Sequence, residues 1–372
     1  MGSNENPYGT SPAVGAALWG CVPSRYSDPA SAALRGALSE KLGVALDRLV
    51  CGNGSEELIA AVCRAYLEPG DRVLTVSPCF GLHEIEPLAA GAQVVKVPMT
   101  EDLDFDFAAL VAALAEKPKI FFISSPSNPV GRAMSEEALS RLIAATQPGT
   151  LFVLDEAYFE FIEAEFPDGF RVLAQRAEIT WAVLRTFSKA YGLAGLRVGY
   201  AVTSDASVAR AIRATLTPFN VNAAAQAAAV AALGDTAWMR ETTAMLRRDR
   251  EILATRIRGL GLRVIPSQAN FLFIDVVIEA WPQFAGNLAS KRYNRQTMDG
   301  SRLCQLHYGL TIGTTKDIER FAQELGSAPR PPLAATGGGF DRKSGAGQAP
   351  PWSSRRHRPH ARASRRGCHI SH

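Results

Sequence analysis

Lys189 stands directly behind Ser188, and Arg197 follows in the same glycine-rich stretch, RTFSKAYGLAGLRVGY (185–200). A lysine at a strand end in a confined site loses proton affinity and becomes a nucleophilic amine. A hydroxyl and a guanidinium beside it can both bind a phosphate. A surface lysine beside a loop is the plain alternative. Other stretches carry similar polar residues. LVCGNGSEELI (49–59) ends a strand, turns through Gly52 and Gly54, and opens a helix near Ser55. Backbone N–H groups at a helix start make a phosphate site, although an ordinary capped turn reads the same way. FFISSPSNPVG (121–131) holds Asn128 between two prolines, which either fixes an amide above a sheet or is a plain Asn-Pro turn. LFVLDEAYFEF (151–161) sets Asp155 at the end of an apolar run, with Tyr158 three residues on. A carboxylate there wants a cationic partner, or serves as a helix N-cap. SPCFGLHEI (77–85) offers the aromatic face of Phe80.

Each of these stretches follows a run that reads as a strand, and ligands of open α/β sheets bind beyond the carboxyl ends of the strands. Pyridoxal phosphate has the groups that such a set would satisfy. Lys189 would take its aldehyde and later shuttle a proton between the substrate Cα and C4′. Asp155 would keep the pyridine nitrogen protonated, and so keep the ring an electron sink. Asn128 and Tyr158 would hydrogen-bond the ring oxygen, Phe80 would stack on the ring, and Ser188 and Arg197 would hold the phosphate.

The elements that must position these residues are legible as alternating runs. Strands are expected at 72–76, 93–97, 120–124, 151–154, 181–185 and 198–202. Helices are expected at 56–67, 135–146, 223–233 and 237–260. Continuous apolar strands such as KIFFIS and LFVLDE belong to a mostly parallel sheet covered on both faces, an α/β class. The expected organisation is an N-terminal arm (1–25) without periodicity, a large cofactor-binding domain (26–235), a smaller α+β domain (236–327) and a disordered basic tail (328–372). The tail carries nine Lys or Arg and one Asp, which leaves the first 327 residues at −4 within a total of +4. That core offers no basic face for nucleic acid. No run is long enough to span a bilayer, and no secretory signal is visible. Six scattered cysteines without CxxC spacing read as free thiols of a cytoplasmic protein, with no metal site.

The motifs SNENPYG, RYSDP, GNGSEELI, SPSNPVG, DEAY, RTFSKAYGLAGLRVGY and ANF, in this order, resemble the fold type I aminotransferases, and within them the histidinol-phosphate aminotransferases. The resemblance spans roughly Ser3 to Ile274. It implies a homodimer with the active site at the subunit interface, where Tyr26 would reach the phosphate of the neighbour's cofactor. Ser55 and Glu56 would line the phosphate cup, and Tyr8, in a mobile arm, would help close over substrate. The implied reaction moves an amino group between histidinol phosphate and 2-oxoglutarate in two half-reactions. An aromatic amino acid aminotransferase, a phosphothreonine decarboxylase, or a cofactor-binding chain with little turnover are the other readings.

One segment departs from the family pattern. TIGT (311–314) aligns, but the family's substrate-binding arginine falls on Gly309, and the β-branched strand before it is not evident. Arg302 is the nearest other arginine. Residues 292–310 can be back-translated so that dropping the first base yields Gly-Ile-Ile-Val-Lys-Pro-Trp, as the family has. The expectation is an out-of-frame reading here, and for the tail either a second one or a natural basic extension. Loss of a buried strand and of the arginine should harm turnover more than cofactor binding. Because the first family motif begins at Ser3, a segment upstream of it is also allowed for.

Overall fold

A computed structural model describes residues 3–277 and 305–319. The chain divides into two compact units, 1–331 and 332–372, and all described residues lie in the first. Residues 292–304 with Arg302 and Cys304, the expected domain end at 327, and the tail with Cys368 lie outside the described residues.

The strands are β1 (Leu49–Gly52), β2 (Arg72–Ser77), β3 (Gln93–Pro98), β4 (Ile120–Ser124), β5 (Leu151–Asp155), β6 (Thr180–Thr186), β7 (Gly199–Thr203), β8 (Arg263–Ile265), β9 (Phe271–Val277) and β10 (Gln305–Thr311). The helices are α1 (Pro12–Trp19), α2 (Ala32–Leu42), α3 (Gly54–Tyr66), α4 (Leu82–Ala89), α5 (Phe107–Leu114), α6 (Glu136–Ala145), α7 (Gly169–Leu173), α8 (Ala206–Ala214), α9 (Ala223–Gly234) and α10 (Thr236–Arg258). The six strands expected from sequence stand within one residue of their expected ends, because an apolar run bounded by turn residues marks a buried strand sharply.

β1 to β7 form one sheet in the order β1-β7-β6-β5-β4-β2-β3. All its pairs are parallel except those of β7, which runs against both β6 and β1. Successive strand residues face opposite sides. Phe121 and Ile123 join a core with Leu110, Leu139 and Leu142, whereas Ile120 and Phe122 join one with Leu58, Val62 and Ile212. Both faces are therefore covered by helices, and the fold is α/β. A second sheet, β10-β9-β8, is antiparallel and shares a core with Leu246, Leu253 and Ile257 of α10.

Two expectations need correction. The arm contains α1, capped by the Ser11 side chain, which accepts from Ala13 N, with Pro12 opening the first turn. Its sequence PAVGAALW is small or apolar all round, so no polar face betrays the helical period. The strand expected to be lost before TIGT is present: β10 pairs with β9 from Gln305↔Val277 to Thr311↔Phe271. β10 lies at the end of the strand order, and an edge ladder is built by backbone groups and tolerates polar residues.

Among the described residues Cys21, Cys51, Cys63 and Cys79 are free thiols. Burial pushes Cys51 and Cys63 up to about 12 and Cys79 to about 11, so none is a ready thiolate. No described helix is long and apolar enough to cross a membrane.

Candidate active site

β2, β4, β5 and β6 end at the same edge of the sheet, and β7, running the other way, starts there. In register, Ser124 sits beside Asp155, Asp155 beside Leu184, and Thr186 beside Gly199, which also faces Gly52 of β1. Reversal of β7 is thus what brings Arg197, just before it, and the start of α3, just after β1, to one place. A cavity of about 260 Å³ opens at this edge.

Its phosphate-like corner is made by Ser55, Glu56, Ser188 and Arg197, all lining the cavity. Asn53, at the N-cap of α3, makes no side-chain cap, so the first N–H groups of the helix are left for a ligand. Gly54 has φ +78, and a Cβ there would lie 2.6 Å from Arg197 Nη2. Arg197 donates to Ser188 Oγ at 3.4 Å and to Glu56 Oε2 at 2.8 Å. Its own backbone is left-handed (φ +57), a strained conformation for a side-chain-bearing residue.

In the middle stands Asp155, 4% exposed. One carboxylate oxygen accepts from Ala157 N at 3.0 Å, and the other is 3.2 Å from His83 Nε2. The partner the fold supplies to this carboxylate is therefore an imidazole, stacked on Phe122 with Phe80 at its edge. His83 went unassigned in the sequence reading. Its signal lay in SPCFGLHEI, where it sits three residues after Phe80, about one helical turn on. Immediately behind, Glu156 receives two N–H bonds from buried Arg185, at 2.9 and 2.7 Å, which ties the end of β5 to β6.

On the far side, Asn128 Nδ2 donates to the Tyr158 hydroxyl at 3.3 Å. Burial raises the Tyr158 pKa well above the ordinary phenol value, so the hydroxyl keeps its proton. Lys189 Nζ lies 5.8 Å from the Tyr158 ring centre and donates to Ser3 O at 2.6 Å. Burial lowers the lysine pKa, against the opposing pull of Glu5 and Glu56.

Nine expected site residues thus share one cavity: Ser55, Glu56, Phe80, Asn128, Asp155, Tyr158, Ser188, Lys189 and Arg197. Tyr26 and Tyr8 are not among its lining residues. Tyr26 is 84% exposed and stacks on Phe219 with ring centres 4.5 Å apart. The Tyr8 hydroxyl donates to Asp249 at 2.9 Å. Ser3 and Asn4 of the arm, with Phe271 and Thr311 of the second sheet, reach the cavity instead. These four lie in the motifs SNENPYG, ANF and TIGT, but nothing local to those motifs says that they meet at one cavity.

The donor set suits a phosphorylated pyridine aldehyde at every group: amine, carboxylate, phenol with amide, and an anion corner whose Gly54 takes a left-handed φ. Comparison with known proteins agrees with that chemistry. The model of the family "Aminotransferase class I and II" matches residues 1–324. Histidinol-phosphate aminotransferase 3 of Rhizobium meliloti is 42% identical over 285 residues, 76% of this chain and 77% of that protein. The histidinol-phosphate aminotransferase of Moorella thermoacetica is 38% identical over 329 residues, 87% of this chain and 84% of that one. Among solved structures, histidinol-phosphate aminotransferase from Sinorhizobium meliloti, in complex with pyridoxal-5'-phosphate, superposes with a TM-score of 0.79 at 27% identity, covering 87% of this chain and 88% of that one. A cavity built for an amine-capturing cofactor and a family match across most of the sequence give the same answer: the chain belongs to the class I and II aminotransferases.

Proposed function

We propose that the chain is a pyridoxal-phosphate-dependent histidinol-phosphate aminotransferase of histidine biosynthesis, with 2-oxoglutarate as the amino acceptor. The observation that carries the reading is the convergence of Lys189, Asp155, the Asn128–Tyr158 pair and the open start of α3 on one cavity. The curated relatives named above supply the substrate. When bound, the cofactor supplies an aldehyde that carries the amino group and a ring that withdraws electrons from the reacting carbon.

This chain's residues do the rest. Lys189 Nζ, its proton affinity lowered by burial, would hold the cofactor's aldehyde and would carry the proton to and from the reacting carbon. Asp155 would hold the proton on the ring nitrogen, with His83 orienting that carboxylate. Tyr158 and Asn128 would bind the ring oxygen, Phe80 would pack the ring face, and Ser55, Glu56, Ser188 and Arg197 would form the phosphate corner. Exposed Tyr26 completes that corner from the partner subunit of a homodimer, and Tyr8 helps to seat the arm over substrate.

A second reading, a cofactor-binding chain with little turnover, is favoured by one observation. Gly309, where the family's substrate-binding arginine falls, pairs with Phe273 in the ladder and offers no side chain for an anion. Titrating the cofactor-loaded protein with histidinol phosphate, followed by absorbance, separates the two. The first reading expects a spectral change reversed by 2-oxoglutarate, with phenylalanine and phosphothreonine much weaker. A bound-cofactor spectrum that no amino donor alters establishes the second reading. An equal or larger response to phenylalanine removes histidinol phosphate as the substrate.

A further inference from the structure

The Tyr158 hydroxyl is 3% exposed as a residue and receives two hydrogen bonds, from Asn128 Nδ2 at 3.3 Å and from Asn4 Nδ2 at 3.0 Å. A phenol has two acceptor positions and one proton. Both acceptor positions are taken by amides, and among the described residues no acceptor takes the proton. The proton is thus without a protein acceptor among the described residues, and Tyr158 lines the cavity.

The orientation of the Asn4 amide is set by a third group. Thr311 Oγ1 donates to Asn4 Oδ1 at 2.7 Å and accepts from Asn4 N at 3.3 Å. That places the oxygen of the amide on Thr311 and its NH₂ on Tyr158. Asn270 Nδ2 donates to Asn4 O at 3.0 Å. The backbone of Asn4 is left-handed (φ +59), a conformation that asparagine adopts more readily than most residues. Neighbouring Ser3 receives the Lys189 amine, so adjacent residues of the arm touch both the amine and the phenol of the site.

We propose that Asn4 is a positioning residue: with Asn128 it fills both acceptor sites of the Tyr158 hydroxyl and so aims the Tyr158 O–H at the ring oxygen of the cofactor. The inference rests on the reading that this cavity holds pyridoxal phosphate. It makes the hydrogen bond to that oxygen depend on the docking of the arm, and through Thr311 and Asn270 on the second sheet.

Asn4→Asp keeps the size of the side chain but puts an acceptor against Tyr158, drawing the proton away from the cavity. Apo protein is reloaded with pyridoxal phosphate, and its dissociation constant and the pH midpoint of the bound cofactor's absorbance are measured. The variants are Asn4→Asp, Asn4→Ala, Tyr158→Phe and Asn4→Asp/Tyr158→Phe. Affinity should fall by roughly three- to tenfold in Asn4→Asp, the range for one lost hydrogen bond. The midpoint should rise in Asn4→Asp as in Tyr158→Phe, since losing a donor disfavours the more anionic form. In the Tyr158→Phe background Asn4→Asp should add no further shift. A full additional shift there overturns the proposal. So does an unchanged midpoint in Asn4→Asp and Asn4→Ala, even where limited proteolysis shows a loosened arm. If the wild-type chain fails to bind pyridoxal phosphate on Lys189, the reading of the cavity falls with it. If it binds and the shifts are additive, only the role of Asn4 falls.

Discussion

The two walls of the cavity are made differently. One is the carboxyl edge of the seven-stranded sheet, where Asp155 lies against His83 and Glu156 against Arg185, all buried. The other is the arm from Ser3 to Asn6 with Phe271 and Thr311 of the second sheet. It is joined by neutral hydrogen bonds through Asn4, Asn6, Asn270 and Thr311. Breaking a buried charge pair costs roughly 3–5 kcal/mol, while a neutral bond contributes about 0.5–1.5. The Glu156–Arg185 pair therefore makes the first wall the costlier of the two to disrupt.

The largest effect should come from the rigid wall. Lys189→Ala removes the amine, and turnover should drop by about 10⁴-fold. Borohydride reduction should then leave no label on the peptide containing residue 189. Surviving turnover at the wild-type level would place the chemistry elsewhere. Next, Arg197→Ala removes the guanidinium of the proposed phosphate corner. Pyridoxal phosphate affinity, read by absorbance titration, should fall by about 10- to 100-fold, as for a charge-assisted bond. Equal affinity would mean that the cradle lies on the other wall.

Smaller effects should test the arm. Gly192 has φ +70, and a Cβ there would lie 1.8 Å from Gly9 O, so arm and lysine loop touch backbone to backbone. Gly192→Ala should destabilise by about 1–3 kcal/mol in a thermal melt and expose the arm to protease. An arm that stays protected would show that it docks without this contact. The smallest change concerns pH. The neutral amine of Lys189 is the form that captures an aldehyde, and burial already lowers its pKa. Capture by apo protein should rise with pH and level off below the range of an ordinary lysine. Glu5 opposes that lowering, so Glu5→Gln should move the plateau to still lower pH, measured by the rate of spectral change. A plateau that moves up, or stays, would separate the arm electrostatically from the amine.

Legibility from sequence follows the same division. The rigid wall is written in short contiguous motifs, because each strand end and the turn after it fall within a dozen residues. Asp155, Lys189 and Arg197 could all be named from their neighbours. His83 was present in such a motif, SPCFGLHEI, but it lies inside α4, past the turn that marks the strand end. The arm's contribution was not legible. α1 has no polar face to show a period, and nothing in SNENPYG says which asparagine meets Tyr158 and which meets Ala190 O. The strand at Gln305–Thr311 was missed because its residues lack the β-branched pattern, while its pairing depends on β9.

Composition, periodicity and spacing by themselves determined an α/β chain, its buried strands, and the residue types at one edge that suit a phosphorylated aldehyde. These are local properties, encoded within one or two turns of chain. The reversal of β7, the imidazole behind Asp155 and the seating of Asn4 between Tyr158 and Thr311 were decided only by the fold. The imidazole and the Asn4 contacts join residues from 72 to 307 positions apart, and only packing brings such residues within hydrogen-bond reach.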